Sequence, residues 1–425
     1  MLCNLGAVLN SQDRLDEAAD SLRKALSLVT DHALSNYNLG NILKKQGKIE
    51  EAKDCYQRAL GSNSEHADTH FNLGNIYVEE GRLDKALQCF HNAISLNASH
   101  LASYLNMGNV LKRQGKYNEA LASYRSVLAQ DEHNEAAYHN IGIICKIQGK
   151  IEEAIDAYSH ATAIDPDNSS TLNNLGNLLK DEDRIDEAVQ CFRRAVELDD
   201  NNVSSRHMLA ALTGEKTEAA PLQYVSELYD RYADNFDSHL VDTLDYDIPL
   251  VLKNMIDALP GQEVRFSNTV DLGCGTGLVG EKIRPITDYL IGIDISPGII
   301  ERAEERNIYD LLIIGDIVEV LKESVEKYDL FTAADVFIYT GNLDPIFSSV
   351  KGCAKKGSYF AFSTEVSLGD DYILRPTGRY AHSFLYVQNL AKKHGFKIAK
   401  HRPEVIRKEK GQEIFGDVYI FQYAG

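Results

Sequence analysis

The sequence predicts an all-α repeat solenoid followed by an α/β domain with a largely parallel sheet. A 34-residue recurrence through the first half predicts the solenoid, because this period is typical of stacked two-helix units. From Asn268 onward strand and helix signals alternate, which predicts parallel strands joined by helices on both faces of a sheet. A glycine-rich turn at residues 273–277 follows the first of these strands and precedes a helix.

The repeat is defined by small residues and by one large residue that recur every 34 positions. Small residues let two helices approach, and the large residue wedges between neighbouring units. The recurring sets are Gly6, Gly40, Gly74, Gly108, Gly142 and Gly176; Ala18, Ala52, Ala86, Ala120, Ala154 and Ala188; and Leu22, Tyr56, Phe90, Tyr124, Tyr158 and Phe192. This pattern resembles tetratricopeptide (TPR) repeats, which implies about six units stacked into a solenoid with a concave wall.

The ends of the repeat array suggest the domain organisation. After Asn202 a single helix, about residues 204–213, continues the register and is predicted to cap the solenoid. The 34-residue grid places the start of the first unit before Met1, so that unit is predicted to be incomplete or truncated. We therefore expect a TPR solenoid at 1–214, a linker and helical lid at 215–262, and the α/β domain at 263–425.

A row of asparagines occupies one position, two residues before each repeat glycine. Side-chain amides in a row can hydrogen-bond an extended peptide backbone without selecting its sequence. The row predicts a peptide-binding groove, although asparagine is also common at this position of the repeat consensus. Its members are Asn4, Asn38, Asn72, Asn106, Asn140 and Asn174, with a second row at Asn41, Asn75, Asn109 and Asn177 that Ile143 interrupts.

Composition excludes several classes of function. The formal net charge is -19, which argues against nonspecific binding of nucleic acid, since that binding needs an excess of lysine and arginine. No run of 18 apolar residues is present, so no membrane span is expected. Seven scattered cysteines without a C-x-x-C pair, and a start without signal-peptide features, predict a cytoplasmic protein with no metal site.

The glycine-rich turn predicts a nucleoside-binding site. Val270 to Leu278 leads from apolar residues with an acid into three glycines spaced two apart. A dinucleotide-binding turn would place its last glycine at residue 278, where this chain has leucine. A second apolar run ends in Asp294, which is placed to accept hydrogen bonds from both ribose hydroxyls of a nucleoside. An ordinary tight turn would also use glycine here.

Three motifs in order resemble those of class I S-adenosylmethionine-dependent methyltransferases. They are the turn at 271–277, the segment at 292–296 and the segment at 314–317. The resemblance implies a Rossmann-like, seven-stranded sheet whose last strand is antiparallel, and S-adenosyl-L-methionine as cofactor. The cofactor-binding residues that it implies are Asp271, Gly273, Cys274, Gly275, Thr276, Gly277, Asp294, Ile295, Asp316, Ile317, Asp335 and, from the lid, Tyr232.

The expected strands are short and the last two form an antiparallel pair. They cover 269–272, 289–294, 311–314, 330–334, 358–364, 396–401 and 418–423, with a charged turn expected at Arg407 to Gln412. Before the sheet, Tyr229, Tyr232 and Phe236 lie at helical spacing on one face. They predict an aromatic lid over the cofactor, as in small-molecule methyltransferases, or a helix whose aromatics belong to the core.

Three residues are candidates for catalysis. Asp335 follows the fourth strand, Glu365 ends the fifth, and His382 lies in an expected loop, 378–383, with the ordinary pKa of a base near neutrality. Each also has an ordinary interpretation as a capping acid, an exposed acid or a loop histidine. The Asn-Pro-Pro-Tyr type of tetrapeptide that marks DNA and glutamine methyltransferases is absent at 335–338.

Three functions are consistent with this pattern. The first is a methyltransferase whose TPR domain recruits a protein partner or substrate. The second is a small-molecule methyltransferase whose TPR domain serves only assembly. The third is a non-catalytic TPR scaffold that binds a peptide, against which the intact glycine motif and Asp294 count. The sequence identifies neither the methyl acceptor, nor the methylated atom type, nor the oligomeric state.

Overall fold

The computed structural model describes residues 1–232, 246–260, 265–409 and 411–425, without the side chains of Arg231 and Tyr232. The predicted cofactor contact of Tyr232 and the part of the lid that contains Phe236 therefore lie outside the described residues. The chain divides into two compact units, Met1–Arg184 and Ile185–Gly425. The domain limits at 214 and 262 stay a prediction.

The first unit is a stack of helix pairs, which confirms the predicted repeat. Each pair has a first helix and a second helix, and together the first helices form what we name the first-helix layer. The first helices are α1 (Leu2–Ser11), α3 (Ala33–Lys45), α5 (Ala67–Glu79), α7 (Leu101–Arg113), α9 (Glu135–Ile147) and α11 (Ser169–Asp181). The second helices are α2 (Leu15–Leu28), α4 (Ile49–Ser62), α6 (Leu83–Leu96), α8 (Tyr117–Leu128) and α10 (Ile151–Ile164).

Side-chain caps and left-handed turns set the helix limits. The residue before most first helices accepts a hydrogen bond from the third backbone N–H, which stabilises the helix start. These capping residues are His32, His66, His100, Asn134 and Asn168. Between the helices of a pair the chain turns through a positive φ, which glycine adopts without strain. The turn residues are Asp13, Gly47, Gly81, Gly115, Gly149 and Asp183.

Close packing at the repeat glycines holds each pair together. Phe90 and Tyr158 are fully buried, and their rings lie against Gly74 and Gly142 of the paired helix. A Cβ atom on Gly74 would lie 2.7 Å from Cε1 of Phe90, inside van der Waals contact. The recurrence of glycine is therefore a consequence of the space that the aromatic ring needs.

Gly74→Ala is expected to lower the free energy of unfolding of the solenoid by about 1–3 kcal/mol, the usual cost of overpacking a core. Gly61→Ala is the matched control, because Gly61 lies in a helix with no atom within 4 Å of its added Cβ. Alanine there should be neutral or stabilise by up to about 1 kcal/mol. Thermal unfolding followed by circular dichroism measures both, and equal effects would contradict the packing argument.

The second unit contains the last repeat helices and the sheet domain. Its helices are α12 (Ile185–Leu198), α13 (Val203–Thr213), α14 (Leu222–Tyr232), α15 (Ile248–Asp257), α16 (Leu278–Ile283), α17 (Pro297–Glu305), α18 (Ile317–Glu323), α19 (Asp344–Cys353) and α20 (Phe384–His394). Its strands are β1 (Phe266–Leu272), β2 (Thr287–Asp294), β3 (Leu311–Ile314), β4 (Tyr328–Ala333), β5 (Ala354–Glu365), β6 (Tyr372–Leu374), β7 (Tyr380–His382), β8 (Phe396–Glu409) and β9 (Gln412–Tyr423).

Seven strands form one sheet in the order β3-β2-β1-β4-β5-β9-β8. Strands β1 to β5 pair in parallel, whereas β9 is antiparallel to both β5 and β8, so the predicted fold class is confirmed. Alternate residues of each strand point to opposite faces. Phe331 thus packs in the cluster with Phe360 on one face, and Leu330 packs with Leu252 and Ile420 on the other.

Two expectations about the chain after β5 were wrong. Strand β8 extends to Glu409, so Arg407 lies in a strand rather than in the expected charged turn. The expected loop at 378–383 contains strand β7, which pairs antiparallel with β6. Both corrections change which side chains can reach the carboxyl ends of the parallel strands. Separately, none of the described helices combines the length and apolar character needed to cross a bilayer.

Candidate active site

A cavity of about 460 Å³ opens where β1, β2, β3 and β4 end at their carboxyl termini. Ligands in open α/β sheets bind at this edge. One part of the lining comes from the loops after the strands, with Gly273, Asp294 and Asp316 among its residues. The other part is largely apolar and aromatic, with Tyr229 and Tyr339 among its residues.

The glycine turn and Asp294 form one hydrogen-bonded unit. Gly273, Gly275 and Gly277 have φ angles of +63°, +56° and +99°, a conformation that residues with a Cβ rarely adopt. The Gly275 N–H donates to Oδ2 of Asp294 at 2.9 Å, and the Ser296 N–H donates to Oδ1 at 3.0 Å. The glycine turn therefore folds around the carboxylate of Asp294, the last residue of β2.

Asp294 is 8% exposed and lines the cavity. Burial raises its pKa, while the N–H groups of Ser296 and Gly275 oppose that rise by stabilising the anion. Backbone N–H groups of Gly275, Ser296 and Ile295 thus act on the carboxylate, and its cavity-facing side can accept hydrogen bonds from the hydroxyls of a ligand.

Asp271 lies behind the glycine turn and does not line the cavity. Its Oδ1 accepts from Thr332 Oγ1 at 2.6 Å and its Oδ2 from Tyr309 Oη at 2.8 Å. Burial raises the pKa of Asp271 to about 6, against the opposing effect of these two hydroxyls. The role of Asp271 in orienting the turn stays a prediction, and its contacts add Tyr309, which the sequence did not single out.

The pKa of Asp271 has a consequence for stability. Because the folded-state pKa of about 6 exceeds the ordinary value near 3.9, the folded protein holds more protons than the unfolded chain between these pH values. The contribution of Asp271 to the free energy of unfolding is therefore expected to fall by about 3 kcal/mol as pH rises from about 4 to about 6. Asp271→Asn should remove this component. Urea unfolding of the full chain across this range tests it, and parallel pH profiles for both proteins would contradict it.

The remaining predicted cofactor residues lie close to Asp294. Asp316 and Ile317 line the cavity, and Asp316 caps α18 by accepting from the Glu319 N–H at 3.0 Å. The Gly315 N–H donates to the backbone oxygen of Asp294 at 2.9 Å, which fixes the distance between the ends of β2 and β3. Cys274, Thr276 and Ile295 also line the cavity, whereas Gly277, the residue before α16, lies outside the lining.

Asp335 is held against a buried arginine. Arg407 is 1% exposed, and its Nη1 donates to both oxygens of Asp335 at 2.8 and 2.9 Å. Asp335 has a φ of +58°, and its backbone N–H donates to Oγ of Ser363 at 2.9 Å. This geometry places the carboxylate of Asp335 in the cavity lining beside a permanent positive charge.

The ion pair is part of a larger cluster, which we name the Arg407 cluster. Nη2 of Arg407 bonds Glu365 and its Nε donates to Glu409 at 2.7 Å. Arg375 pairs with Glu365 at 2.9 Å, and Arg379 pairs with Glu409 and lines the cavity. The members are Asp335, Glu365, Glu409, Arg375, Arg379 and Arg407. Three acids thus balance three guanidinium groups.

Two of the predicted catalytic residues do not reach the cavity. Glu365 is 2% exposed and both its oxygens accept from arginines of the cluster. His382 is fully buried in β7, where its Nε2 bonds the carbonyl oxygens of Thr340 at 2.9 Å and Gly341 at 3.0 Å. Burial lowers the pKa of His382 to about 4. The structure gives His382 a role in holding the chain after β4, which removes the reason for expecting it to act as a base.

Helix α14 contributes a wall of the cavity through Val225, Leu228 and Tyr229. Asp230 joins this helix to the start of α17, because its Oδ1 accepts from Ser296 Oγ at 2.5 Å and from the Gly298 N–H at 3.1 Å. Of the three aromatic residues, Tyr229 is the one whose side chain is described; it lines the cavity and packs edge-on against Tyr339 at 5.6 Å. The lid over a cofactor stays a prediction.

The linker before α14 forms another wall. The Glu218 carbonyl oxygen accepts from the N–H groups of Gly341 at 2.8 Å and Asn342 at 2.7 Å, and the Ala220 N–H donates to Tyr339 O at 2.9 Å. These bonds make the linker a short antiparallel partner of the segment after β4. Upstream, His207 of α13 is buried and bonds the Gly378 carbonyl oxygen at 2.8 Å.

Comparisons with known families agree with this architecture. A family model described as a methyltransferase domain matches residues 266–410. One described as a tetratricopeptide repeat matches residues 1–29, and one described as the C-terminal domain of cilia and flagella-associated protein 70 matches residues 29–227. The chain contains tetratricopeptide repeats followed by a methyltransferase domain. The predicted combination of domains is therefore confirmed.

Curated relatives are similar to part of this chain. Methyltransferase-like protein 27 of Homo sapiens is 40% identical over 86 residues, which are 20% of this chain and 34% of the relative. The 18S rRNA (guanine-N(7))-methyltransferase of Bos taurus is 42% identical over 48 residues, which are 11% of this chain and 17% of the relative. The matched part thus spans about a third or less of each relative's length.

Solved structures of repeat proteins are also similar to the chain. YrrB, described as a TPR protein with an unusual peptide-binding site, has 21% identity and a TM-score of 0.40, and covers 44% of this chain and 97% of its own. The pilF protein of Pseudomonas aeruginosa has 19% identity and a TM-score of 0.45, and covers 49% of this chain and 95% of its own.

Proposed function

We propose that the protein is an S-adenosyl-L-methionine-dependent methyltransferase whose TPR domain recruits a protein partner or substrate. One observation carries the cofactor assignment: the carboxylate that ends β2 binds the Gly275 N–H of the glycine turn and lines the cavity. A nucleoside that entered the cavity would meet these two groups together. The methyltransferase family model over the same residues supports the reaction class.

The residues of the cavity divide into a donor half and an acceptor half. In the donor half, Asp294 would hold the ribose hydroxyls, and Asp316 and Ile317 would flank the adenine. The glycine turn admits the donor because it has no side chains to fill the space. S-adenosyl-L-methionine, when bound, supplies a methyl group on a sulfonium.

In the acceptor half, apolar and aromatic side chains exclude water, and Asp335 presents a carboxyl group beside Arg407. Methyl transfer needs an in-line approach of a nucleophile that has lost its proton. Two lone-pair positions of the Asp335 carboxylate accept hydrogen bonds from Arg407. The other positions can accept a hydrogen bond from a hydroxyl or amine of the acceptor. We propose that Asp335 orients the acceptor, with Arg407 holding Asp335 in place.

In the repeat half, a row of asparagines in the first-helix layer supports a recruiting role. The row contains Asn38, Asn72, Asn106, Asn140 and Asn174. Two alternatives have distinct consequences. In a small-molecule methyltransferase with a TPR domain for assembly, changes in these rows would leave methyl transfer unaffected. In a non-catalytic scaffold, peptide binding would survive while donor binding was absent. A cytoplasmic location stays a prediction.

Calorimetry with S-adenosyl-L-methionine and with S-adenosylhomocysteine tests the proposal directly. We expect one site per chain for each compound. A folded protein that binds neither would leave only the scaffold function. A tritiated-methyl assay on proteins captured by the full chain, repeated with Asn72→Ala/Asn106→Ala, then separates recruitment of the acceptor from assembly.

A further inference from the structure

The cavity lining contains more acidic than basic side chains. Four carboxyl groups line it, on Glu218, Asp294, Asp316 and Asp335, together with two guanidinium groups. Both guanidinium groups already bind acids. Arg407 pairs with Asp335 at 2.8 Å, and Arg379 pairs with Glu409. An anionic acceptor would therefore have to enter without an available cation in the described part of the lining, which is unfavourable.

The lining also lacks a strong base that could activate a hydroxyl acceptor. Neither histidine nor lysine occurs among the described residues that line the cavity. Burial, with a smaller contribution from the Asp335 carboxylate, raises the pKa of Tyr229 and of Tyr246 well above its ordinary value. Both phenols therefore stay protonated near neutral pH. A hydroxyl group needs an adjacent base to become a nucleophile, and apart from carboxyl groups this lining offers none.

An aliphatic amine fits the same surroundings without needing a base. Burial lowers the pKa of an amine, so its ammonium form loses a proton to water as it leaves solvent. The positive sulfonium of a bound donor acts in the same direction. Val225 and Leu228 line the cavity beside Tyr229 and offer apolar surface to the carbon chain of an amine. Asp335 lies near Tyr229 and can accept a hydrogen bond from the N–H.

We propose that the methyl acceptor is the nitrogen of an aliphatic amine, which binds among these apolar side chains and donates a hydrogen bond to Asp335. This rests on the methyltransferase function proposed above and specifies its acceptor. A ring nitrogen without a hydrogen fits less well, because it would direct a lone pair at the Asp335 carboxylate. The amine belongs either to a lysine side chain of a recruited protein or to a small metabolite.

The reaction balances without a further reactant. The lone pair of the uncharged nitrogen forms the new N–C bond while the C–S bond of the donor breaks. The electron pair of that bond stays on the sulfur, which leaves S-adenosylhomocysteine. The methylated nitrogen is then an ammonium group, and it releases a proton to water.

The test identifies the labelled atom. An extract of the source cells is incubated with tritiated S-adenosyl-L-methionine, with and without the added full chain, and then divided into protein and small-molecule fractions. We expect the added label to resist mild alkali. It should elute as N-methyl-lysine after acid hydrolysis of the protein fraction, or as an N-methylated amine in the small-molecule fraction. These two results distinguish the two sources of the amine.

Other labelled products would overturn the inference and leave the methyltransferase function intact. They are methanol released by mild alkali from an ester, and label on oxygen, sulfur, carbon or a ring nitrogen. No added label, with S-adenosyl-L-methionine bound in calorimetry, would overturn methyl transfer itself. With the labelled acceptor, kcat/KM should rise about tenfold per pH unit below the amine pKa of about 10.4, as the uncharged fraction rises. A flat profile from about pH 6 to about pH 9 would contradict an amine.

Glu218→Gln tests whether the cavity attracts the acceptor as a cation. Glu218 is exposed and lines the cavity. We expect the variant to raise KM for the acceptor about two- to fivefold at low salt and to leave kcat unchanged, because one exposed charge is removed. Glu215→Gln is the matched control, since Glu215 is exposed on the same linker but lies outside the lining. An unchanged or lower KM for Glu218→Gln would contradict a cationic acceptor.

Discussion

Asp294→Ala is expected to weaken the binding of S-adenosylhomocysteine by roughly 100- to 1,000-fold. Two ribose hydroxyls would lose a charged acceptor, and a hydrogen bond to a charged group contributes about 1.5–3 kcal/mol. The substitution also leaves the Gly275 N–H without its partner, so the turn that contacts the donor loses its support. Both effects act on the same binding constant, which calorimetry measures.

Asp288→Ala is the matched control for this prediction. Asp288 lies on the same strand, β2, but is exposed and pairs with Arg265 at the other end. We expect this variant to bind the nucleoside as the wild type does. If Asp294→Ala bound with unchanged affinity while remaining folded, the ribose contact would be wrong and the cavity would need another ligand.

Arg407→Ala is expected to destabilise the methyltransferase domain by about 3–5 kcal/mol, the cost of leaving buried charges without their partner. Asp335 and Glu365 would both lose their guanidinium group within a buried environment. Hydrogen exchange of β5 and β9 amides, read as opening free energies in the full chain, measures the loss.

Arg402→Ala on the same strand provides the comparison. The Arg402 side chain is 56% exposed and pairs with Glu404, so its removal should cost less than about 1 kcal/mol. Equal protection of β9 in both variants would show that the Arg407 cluster contributes little to stability. Arg407→Lys should recover only part of the loss, because lysine cannot bond Asp335, Glu365 and Glu409 together.

Local patterns predicted the features that depend on local sequence. The repeat period follows from glycine and aromatic residues that contact each other within one helix pair, as Gly74 and Phe90 do. The glycine turn and Asp294 were predictable because strand, turn and acid follow one another within a short stretch of chain. In the structure the Gly275 N–H of the turn donates to Asp294 at 2.9 Å, so the turn and the acid lie together.

The sequence could not indicate contacts that depend on register over long separations. Arg407 lies 72 positions from Asp335 and turns inward where the pairing of β8 with β9 shifts between Val405 and Arg407. A charged residue near a strand end is usually exposed, so the burial of Arg407 had no local signal. The near-neutral pKa expected for His382 was wrong for a related reason. The backbone carbonyl groups that contact its ring come from a segment about 40 residues away.

The contacts of α13 with the segment around Gly378 limit where the chain can be shortened. A fragment that began at residue 215 would lack His207, whose ring supports the Gly378 carbonyl next to Arg379 of the cavity wall. It would also uncover the surface on which Met208 lies against Gly378. Recombinant fragments for assays of the catalytic half should therefore begin no later than Ile185, the first residue of its compact unit.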